Sequence, residues 1–284
     1  MLLREVEYVR PATIDEAIRL LAEHDGARAL AGGQTLVNVM KARAASPDVL
    51  VDLVDLADLR TISFSADQSA LEIGAMVTSS QLVGSSEVEV ARPILAEVAA
   101  TIADLQVRNR GTIGGNICVN DPTNHFPPLL VALGASMTIQ GRDGERTVSA
   151  EEFFLGVYLT DVGEGELLTR ISVPTRTTGT GDAMTGITLG AHGTYIVSAA
   201  VTVGPKGVRV ALGCVASVPE RALAMEQRLV NGDYSEAAVK GAAAGLGASL
   251  DPPSDVHASA EYRRHLAEVS AVRAVLQAAE RARG

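Results

Sequence analysis

Two short glycine-rich segments constrain the fold of this chain more than any other feature. The first reads Ala31-Gly32-Gly33-Gln34-Thr35, and the second reads Arg110-Gly111-Thr112-Ile113-Gly114-Gly115-Asn116. Glycine tolerates positive φ, and without a Cβ it lets the backbone approach another group closely. Successive backbone N–H groups in such turns form a concave anion site. The two segments therefore predict loops that hold the phosphates of one ligand from opposite sides.

Each glycine pair taken alone is also typical of a simple tight turn. Thr35, Thr112 and Asn116 add neutral hydrogen-bonding side chains next to both loops, which favours ligand binding. The sequence has neither Gly-x-Gly-x-x-Gly after a strand nor a phosphate loop ending in Gly-Lys-Ser/Thr. The two nucleotide-binding folds with those signatures therefore lose their main support. From chemistry alone, the ligand is a phosphate-bearing molecule.

The composition bounds the class of protein. The 284 residues suit about two globular domains, and 47% hydrophobic residues can form a sizeable core. A net charge of −10 with scattered Lys and Arg argues against nucleic-acid binding and against an anionic membrane surface. No apolar stretch approaches the ~18 residues of a membrane span. The first residues lack the apolar core of a signal peptide, so we expect a cytoplasmic protein.

The residue types that usually carry catalysis or metals are sparse. Cys118 and Cys214 are the two cysteines, too few for a disulfide framework or for an iron–sulfur cluster, which takes four ligands. We expect both to be buried as small hydrophobic residues. The five histidines are far apart, without metal-ligand or Ser/His/Asp spacing. We therefore assign no catalytic residue and no metal ligand.

Hydrophobic periodicity predicts a mixture of helices and strands. Thr13-Ile14-Asp15-Glu16 and Thr78-Ser79-Ser80-Gln81 are typical of capping boxes at helix N-termini. Gly141-Arg142-Asp143-Gly144 predicts a hairpin turn. The polar, glycine-rich run 175–182 is the predicted domain boundary. Beyond it we expect strands at 195–203 and 208–214 and helices at 220–230, 235–246 and 261–281, which gives the α+β class.

The sequence resembles the FAD-binding medium subunits of the xanthine dehydrogenase and carbon monoxide dehydrogenase family, the molybdenum hydroxylases. The resemblance covers nearly the whole chain, and the stretch from Gln106 to Asn116 is its most specific part. Other matching segments are Tyr8-Val9-Arg10-Pro11-Ala12-Thr13, Ala31 to Leu36 with Met40-Lys41, Leu71 to Thr78, Glu164 to Leu168, and Glu261-Tyr262-Arg263-Arg264.

The resemblance implies a two-part FAD-binding domain of the vanillyl-alcohol-oxidase (PCMH) type, followed by a small C-terminal domain with a β-sheet and helices. We place the FAD-binding domain at 1–176, subdivided near 57, and the C-terminal domain at 177–284. It also implies these cofactor-binding residues: Ala31, Gly32, Gly33, Gln34, Thr35, Thr112, Ile113, Gly114, Gly115, Asn116, Asp121, Leu167 and Tyr195.

Three of those positions have ordinary structural alternatives. Asp121 is also a typical turn residue before Pro122. Leu167 is also typical of a strand core, and Tyr195 of a packed strand aromatic. The chain departs from many relatives at His125, where they carry Asp, and at Ile187, where some carry Lys. His125 either hydrogen-bonds the cofactor or fills a loop.

By resemblance, the chain is an electron-transfer subunit that holds FAD noncovalently. A small partner subunit with 2Fe–2S clusters supplies the electrons, and a large partner with a molybdenum–pterin centre hydroxylates the substrate. We expect a dimer of such heterotrimers. FAD then passes electrons to an external acceptor. The alternatives are a stand-alone flavin reductase or oxidase of the same superfamily and a noncatalytic scaffold.

Overall fold

The computed structural model describes residues 3–190 and 193–284, so Met1 and Leu2 lie outside it. The fold mixes helices and sheets, which confirms the predicted α+β class. The strands are β1 (Glu7–Val9), β2 (Arg28–Leu30), β3 (Val49–Asp52), β4 (Ile62–Phe64), β5 (Ala70–Gly74), β6 (Ser136–Gly141), β7 (Gly144–Ser149), β8 (Phe154–Gly156), β9 (Leu159–Thr160), β10 (Leu167–Pro174), β11 (Gly181–Thr188), β12 (Tyr195–Gly204), β13 (Gly207–Gly213) and β14 (Glu220–Arg221).

The helices are short, apart from the last. They are α1 (Ile14–Glu23), α2 (Leu36–Lys41), α3 (Ser79–Gly84), α4 (Ser86–Ala91), α5 (Ile94–Thr101), α6 (Leu105–Arg108), α7 (Ile113–Val119), α8 (Phe126–Leu133), α9 (Ala150–Phe153), α10 (Leu223–Arg228), α11 (Glu236–Ala243) and α12 (Ala260–Arg281). Among the described residues, no helix is both long and apolar enough to cross a membrane.

The N-terminal part is a three-stranded parallel sheet in the order β1-β3-β2. Helix α1 begins after Thr13, whose hydroxyl accepts a hydrogen bond from the Glu16 N–H. The Glu16 carboxylate accepts from the N–H of Ala12 instead of Thr13. The capping box predicted here is therefore wrong in its second half, because the preceding residue is the nearer donor. The first glycine loop lies between β2 and α2.

A five-stranded antiparallel sheet follows, in the order β4-β5-β10-β6-β7. The predicted hairpin is confirmed as β6 and β7, and the capping box from Thr78 to Gln81 is complete. Buried residues of β5, β6 and β10 alternate with polar ones, so one sheet face packs on helices. Helix α8 is buried at every position and lies in that core.

The C-terminal part is a four-stranded sheet in the order β11-β12-β13-β14, covered by α12. The helix predicted at 220–230 is wrong at its start, where Glu220 and Arg221 pair with β13. The Glu226 carboxylate accepts from the Val210 N–H and from the Arg221 guanidinium, which holds this segment against β13. Pairing with a neighbouring strand therefore overrides the local helical preference.

The five-stranded sheet and its helices share buried contacts with the C-terminal part. Ala200 and Ala211 of the last sheet belong to the core of the five-stranded sheet. Nε of Arg92, after α4, lies 3.4 Å from Oδ2 of Asp182 on β11, and both side chains are buried. Burial raises the pKa of Asp182 and lowers that of Arg92, and each charge opposes the shift of the other. The predicted domain limits at 176 and near 57 stay predictions.

Asp182→Ala should lower the free energy of unfolding by about 3 kcal/mol, because it leaves the buried Arg92 charge without a partner. Urea unfolding of the purified chain measures this. Asp55→Ala is the control, since the Arg10–Asp55 pair is exposed and should contribute at most about 1 kcal/mol. Equal costs for the two variants would contradict an energetic role for the buried pair.

Candidate cofactor-binding site

The two glycine loops are in direct contact. A Cβ built on Gly32 would lie 2.1 Å from the Arg110 carbonyl oxygen and 2.9 Å from Cα of Gly111. On the other side of the contact, a Cβ on Gly115 would lie 3.5 Å from Cβ of Ala31. The structure thus brings the two predicted loops together, and Gly32 has to lack a side chain for them to meet.

The first loop has free backbone donors. Within the described part of the chain, the N–H groups of residues 32–36 donate to no acceptor. Gly33 has φ +71°, a left-handed conformation that favours glycine. The loop carbonyls are occupied: Gly33 accepts from the Val37 N–H, and Gln34 accepts from the Asn38 side chain. The amides are therefore the groups this loop has available for an anion.

The second loop differs from the prediction in this respect. The amides of Ile113 and Gly114 donate to the carbonyls of Val77 and Ala75, at 2.9 Å each. The Gly115 N–H donates to the hydroxyl of Thr112, which caps α7. A Cβ on Gly114 would lie 2.5 Å from the Ala75 carbonyl oxygen, so this glycine allows close packing of protein on protein. Ile113 itself is fully buried.

A polar side chain remains available at the second loop. Oδ1 of Asn116 is buried and has no hydrogen-bond partner among the described residues. An orphaned buried polar atom is costly, and a ligand that pairs with it removes the cost. Together with the free amides of the first loop, it fits a cofactor that carries phosphates and hydroxyls.

Asp121 already has partners in the protein. Its Oδ1 accepts from the N–H and hydroxyl of Thr123, at 2.9 and 2.7 Å, and its Oδ2 accepts from the Tyr158 hydroxyl at 3.0 Å. This is the geometry of a turn stabilised by an Asp side chain. Its contact with a cofactor stays a prediction. The neighbouring Asn124 donates to the Asn116 carbonyl, so the turn lies next to the second loop.

Leu167 and Ile187 occupy hydrophobic cores. Leu167 begins β10 and packs with Leu59 and Met76 in the core of the N-terminal part. Ile187 lies on β11 and packs against the core of the last sheet, where a hydrophobic residue is expected. The predicted contact of the Leu167 backbone with the flavin ring stays a prediction.

The rings of Tyr195 and His125 are in contact, with centroids 4.3 Å apart and planes tilted by 46°. His125 is buried directly before α8, and its Nδ1 lies 3.1 Å from the Thr101 hydroxyl oxygen. That hydroxyl also donates to the Val98 carbonyl, so its oxygen accepts from Nδ1–H of a neutral imidazole. Burial lowers the pKa of His125 to about 4. His125 is therefore a packed residue, whatever it binds in addition.

Another cleft lies away from the glycine loops. It has a volume of about 380 Å³, and its lining includes Thr61, Glu72 of β5 and Arg170 of β10. The Arg170 guanidinium already pairs with Glu72 at 2.8 Å. We give more weight to the glycine loops, because they combine free donors with an orphaned polar atom. In the described part of the chain, no group of three or more His, Cys, Asp and Glu residues could hold a metal ion.

Sequence reasoning missed the elements that support the loops. Helix α7 begins inside the second loop, at the capping residue Thr112. The sequence does carry a signal for this helix, because Thr112 is a preferred N-cap residue and the apolar residues Ile117 and Cys118 follow it. Helix α8 has Pro127 and Pro128 in its first turn and ends at Gly134, with φ +65°, which is also a readable helix signature.

This α+β fold and its pair of glycine loops fit a protein that carries a phosphate-bearing cofactor. Residues 4–176 match the FAD-binding domain in molybdopterin dehydrogenase, and residues 192–278 match the C-terminal domain of the CO dehydrogenase flavoprotein. The chain belongs to this family of FAD-binding medium subunits of molybdenum hydroxylases.

Full-length relatives agree. The chain is 38% identical over 283 residues to the carbon monoxide dehydrogenase medium chain of Afipia carboxidovorans, covering 98% of each. A structure of carbon monoxide dehydrogenase from Hydrogenophaga pseudoflava superposes with TM-score 0.95 at 37% identity, over 99% of both chains. Quinoline 2-oxidoreductase from Pseudomonas putida 86 superposes with TM-score 0.94 at 34% identity, over 99% of both chains.

Gly32→Ala should separate the two loops and reduce the FAD content of the purified protein. The added methyl group meets backbone atoms, so we also expect a loss of about 1–3 kcal/mol in stability. FAD released on denaturation and urea unfolding measure the two effects. Gly241→Ala, in α11 with no atom within 4 Å of the added Cβ, is the control. Wild-type FAD content in Gly32→Ala would refute the need for the contact.

His125 should make the stability pH-dependent. Its pKa falls from 6.5 to about 4 on folding, so between these values the unfolded chain takes up a proton that the folded chain does not. Stability therefore falls as pH decreases through this window, by about 3 kcal/mol in total. His125→Gln should remove this component in urea titrations at several pH values, whereas exposed His257→Gln should keep it. Identical profiles for both variants would contradict the assignment.

Proposed function

We propose that residues of the two loops hold the diphosphate of FAD and that the chain relays electrons within a molybdenum hydroxylase complex. The observation that carries the proposal is the row of amides at residues 32–36, which have no acceptor among the described residues and belong to a loop that contacts the second glycine loop. Such a row attracts anionic oxygen atoms without a charged side chain. This suits a protein whose net charge is −10.

The residues divide the work. The first loop supplies backbone donors from Gly32, Gly33, Gln34 and Thr35. Ala31 packs against Gly115 of the second loop. In the second loop, the Asn116 side chain meets the polar chain of the cofactor. Thr112, Ile113, Gly114 and Gly115 fix the start of α7 so that Asn116 is presented correctly. Tyr195 and the Leu167 backbone flank the flavin ring.

When bound, FAD supplies the redox chemistry, and the protein contributes position and electrostatics. We assign no catalytic acid, base or nucleophile to this chain. In the proposed assembly, a small iron–sulfur subunit delivers electrons, a large molybdenum–pterin subunit oxidises the substrate, and two such heterotrimers pair in the cytoplasm. Chains of similar structure occur in a carbon monoxide dehydrogenase and in a quinoline 2-oxidoreductase. Because these enzymes are named for different substrates, we assign substrate choice to another subunit.

The direct test is to purify the complex under mild conditions and to measure its metal content and the FAD that it releases on denaturation. We expect FAD, together with molybdenum and iron from the partner subunits. A correctly assembled complex that releases no FAD would overturn the proposal. Oxidation of substrate by this chain alone would instead favour a stand-alone flavoenzyme.

Asn116→Ala separates ligand binding from folding. It removes a buried acceptor that has no partner in the part of the chain that the structure describes, so stability without FAD should stay equal or rise. FAD affinity should fall about tenfold, the equivalent of one hydrogen bond. Fluorescence titration with FAD measures the affinity.

Ser198→Ala is the matched control, because Oγ of Ser198 is also buried without a partner but lies on β12 in the last sheet. It should leave FAD affinity unchanged. If both variants bind FAD equally well, Asn116 does not contact the cofactor.

A further inference from the structure

The C-terminal part carries neither glycine loop, yet it holds the segment that follows the second loop. That segment, residues 120–125, runs from the end of α7 to the start of α8. Asn120 ends α7 in the left-handed conformation, and Asn124 donates to the Asn116 carbonyl at 2.8 Å. The segment therefore lies against the second loop, and a shift of one would move the other.

Cys214 makes a hydrogen bond to this segment. Its Sγ lies 3.1 Å from the Pro122 carbonyl oxygen, and the residue is buried. Burial raises the pKa of the thiol to about 12, so the thiol keeps its proton and donates. Pro122 follows Asp121, which is itself tied to Thr123 and Tyr158.

The backbone of Cys214 adopts a strained conformation to make this contact. Its φ is +65°, which a residue with a Cβ rarely adopts. Arg263 of α12, which is 5% exposed, donates to the Ile196 carbonyl and lies 3.5 Å from the Cys214 carbonyl oxygen.

Two neighbours of Cys214 reinforce the contact. A Cβ on Gly213 would lie 3.0 Å from Cγ of Pro128, so its absence lets the first turn of α8 approach β13. The Tyr195 ring packs against His125 at the end of the segment, tilted by 46°. Cys214 and Tyr195 thus contact residues 120–125, and Gly213 contacts the first turn of the helix that follows them.

We propose that Cys214 is a positioning residue, whose thiol holds residues 120–125 against the second glycine loop and thereby sets how tightly the chain retains FAD. This inference rests on the proposed function for the identity of the ligand. It assigns the C-terminal domain a part in cofactor retention, through a hydrogen bond and not through contact with FAD.

Three variants of Cys214 separate the thiol from the backbone conformation. Cys214→Ala removes the donor and keeps the strained backbone. Cys214→Gly also removes the donor but relieves the strain. Cys214→Ser keeps a donor of similar size. Cys118→Ala is the control for loss of the other thiol, which has no hydrogen bond among the described contacts.

The experiment measures the FAD dissociation rate of the assembled complex. We expect Cys214→Ala and Cys214→Gly to release FAD about two- to tenfold faster, the range of one hydrogen bond. Cys214→Ser and Cys118→Ala should stay near the wild-type rate. Because Cys214→Gly also loses strain, its melting temperature should not fall together with its FAD retention.

Hydrogen exchange of the amides in residues 120–134 provides a second measurement without FAD. Exchange should be faster in Cys214→Ala and Cys214→Gly than in the wild type, and Cys214→Ser should restore protection. A wild-type dissociation rate in Cys214→Ala, or a Cys214→Ser variant that behaves as Cys214→Ala, would overturn the inference.

The experiment also distinguishes a failure of the proposed function. If that function is wrong, the wild-type complex contains no FAD, whereas hydrogen exchange still reports whether Cys214 holds residues 120–125. Normal FAD content with unchanged exchange in Cys214→Ala would reject the inference alone.

Discussion

The contact between Gly32 and the carbonyl of Arg110 is the constraint on which the rest of the site depends. One loop follows β2 of the parallel sheet, and the other lies between α6 and α7. They meet at a distance that leaves no room for a Cβ. The amides of the first loop and the orphaned Asn116 oxygen of the second lie side by side because this contact holds the loops together. A side chain there would move the two sheets relative to each other.

The two loops look alike in sequence but use glycine for different physical reasons. In the first loop, Gly33 has positive φ, and the N–H groups of residues 32–36 have no acceptor among the described residues. In the second, Gly114 packs against Ala75, the amides of Ile113 and Gly114 donate to protein carbonyls, and the Gly115 amide donates to the Thr112 hydroxyl. In the proposed function, the first loop is therefore the anion-binding element and the second is the support that locates Asn116. Their resemblance in sequence conceals this difference, because spacing does not tell which amides find an acceptor.

Local patterns predicted the elements that depend on local interactions. The hairpin at residues 141–144 and the capping box at Thr78 formed as expected, and so did the long last helix. The resemblance located both loops and the family. What could not be read from the sequence depends on distant partners: Glu220 and Arg221 form a strand because β13 lies beside them. The contact between Cys214 and Pro122 likewise joins positions far apart in the chain, and the tertiary fold alone creates it.

The sharing of one core between the two parts bears on how the chain is made. Ala200 and Ala211 complete the hydrophobic core that packs under the five-stranded sheet. During synthesis, these two residues are added after both glycine loops. Domains usually fold as units during synthesis, but this core is complete only once β12 and β13 have been made. A chain truncated before β12 would lack Ala200 and Ala211 and would leave part of the core uncovered.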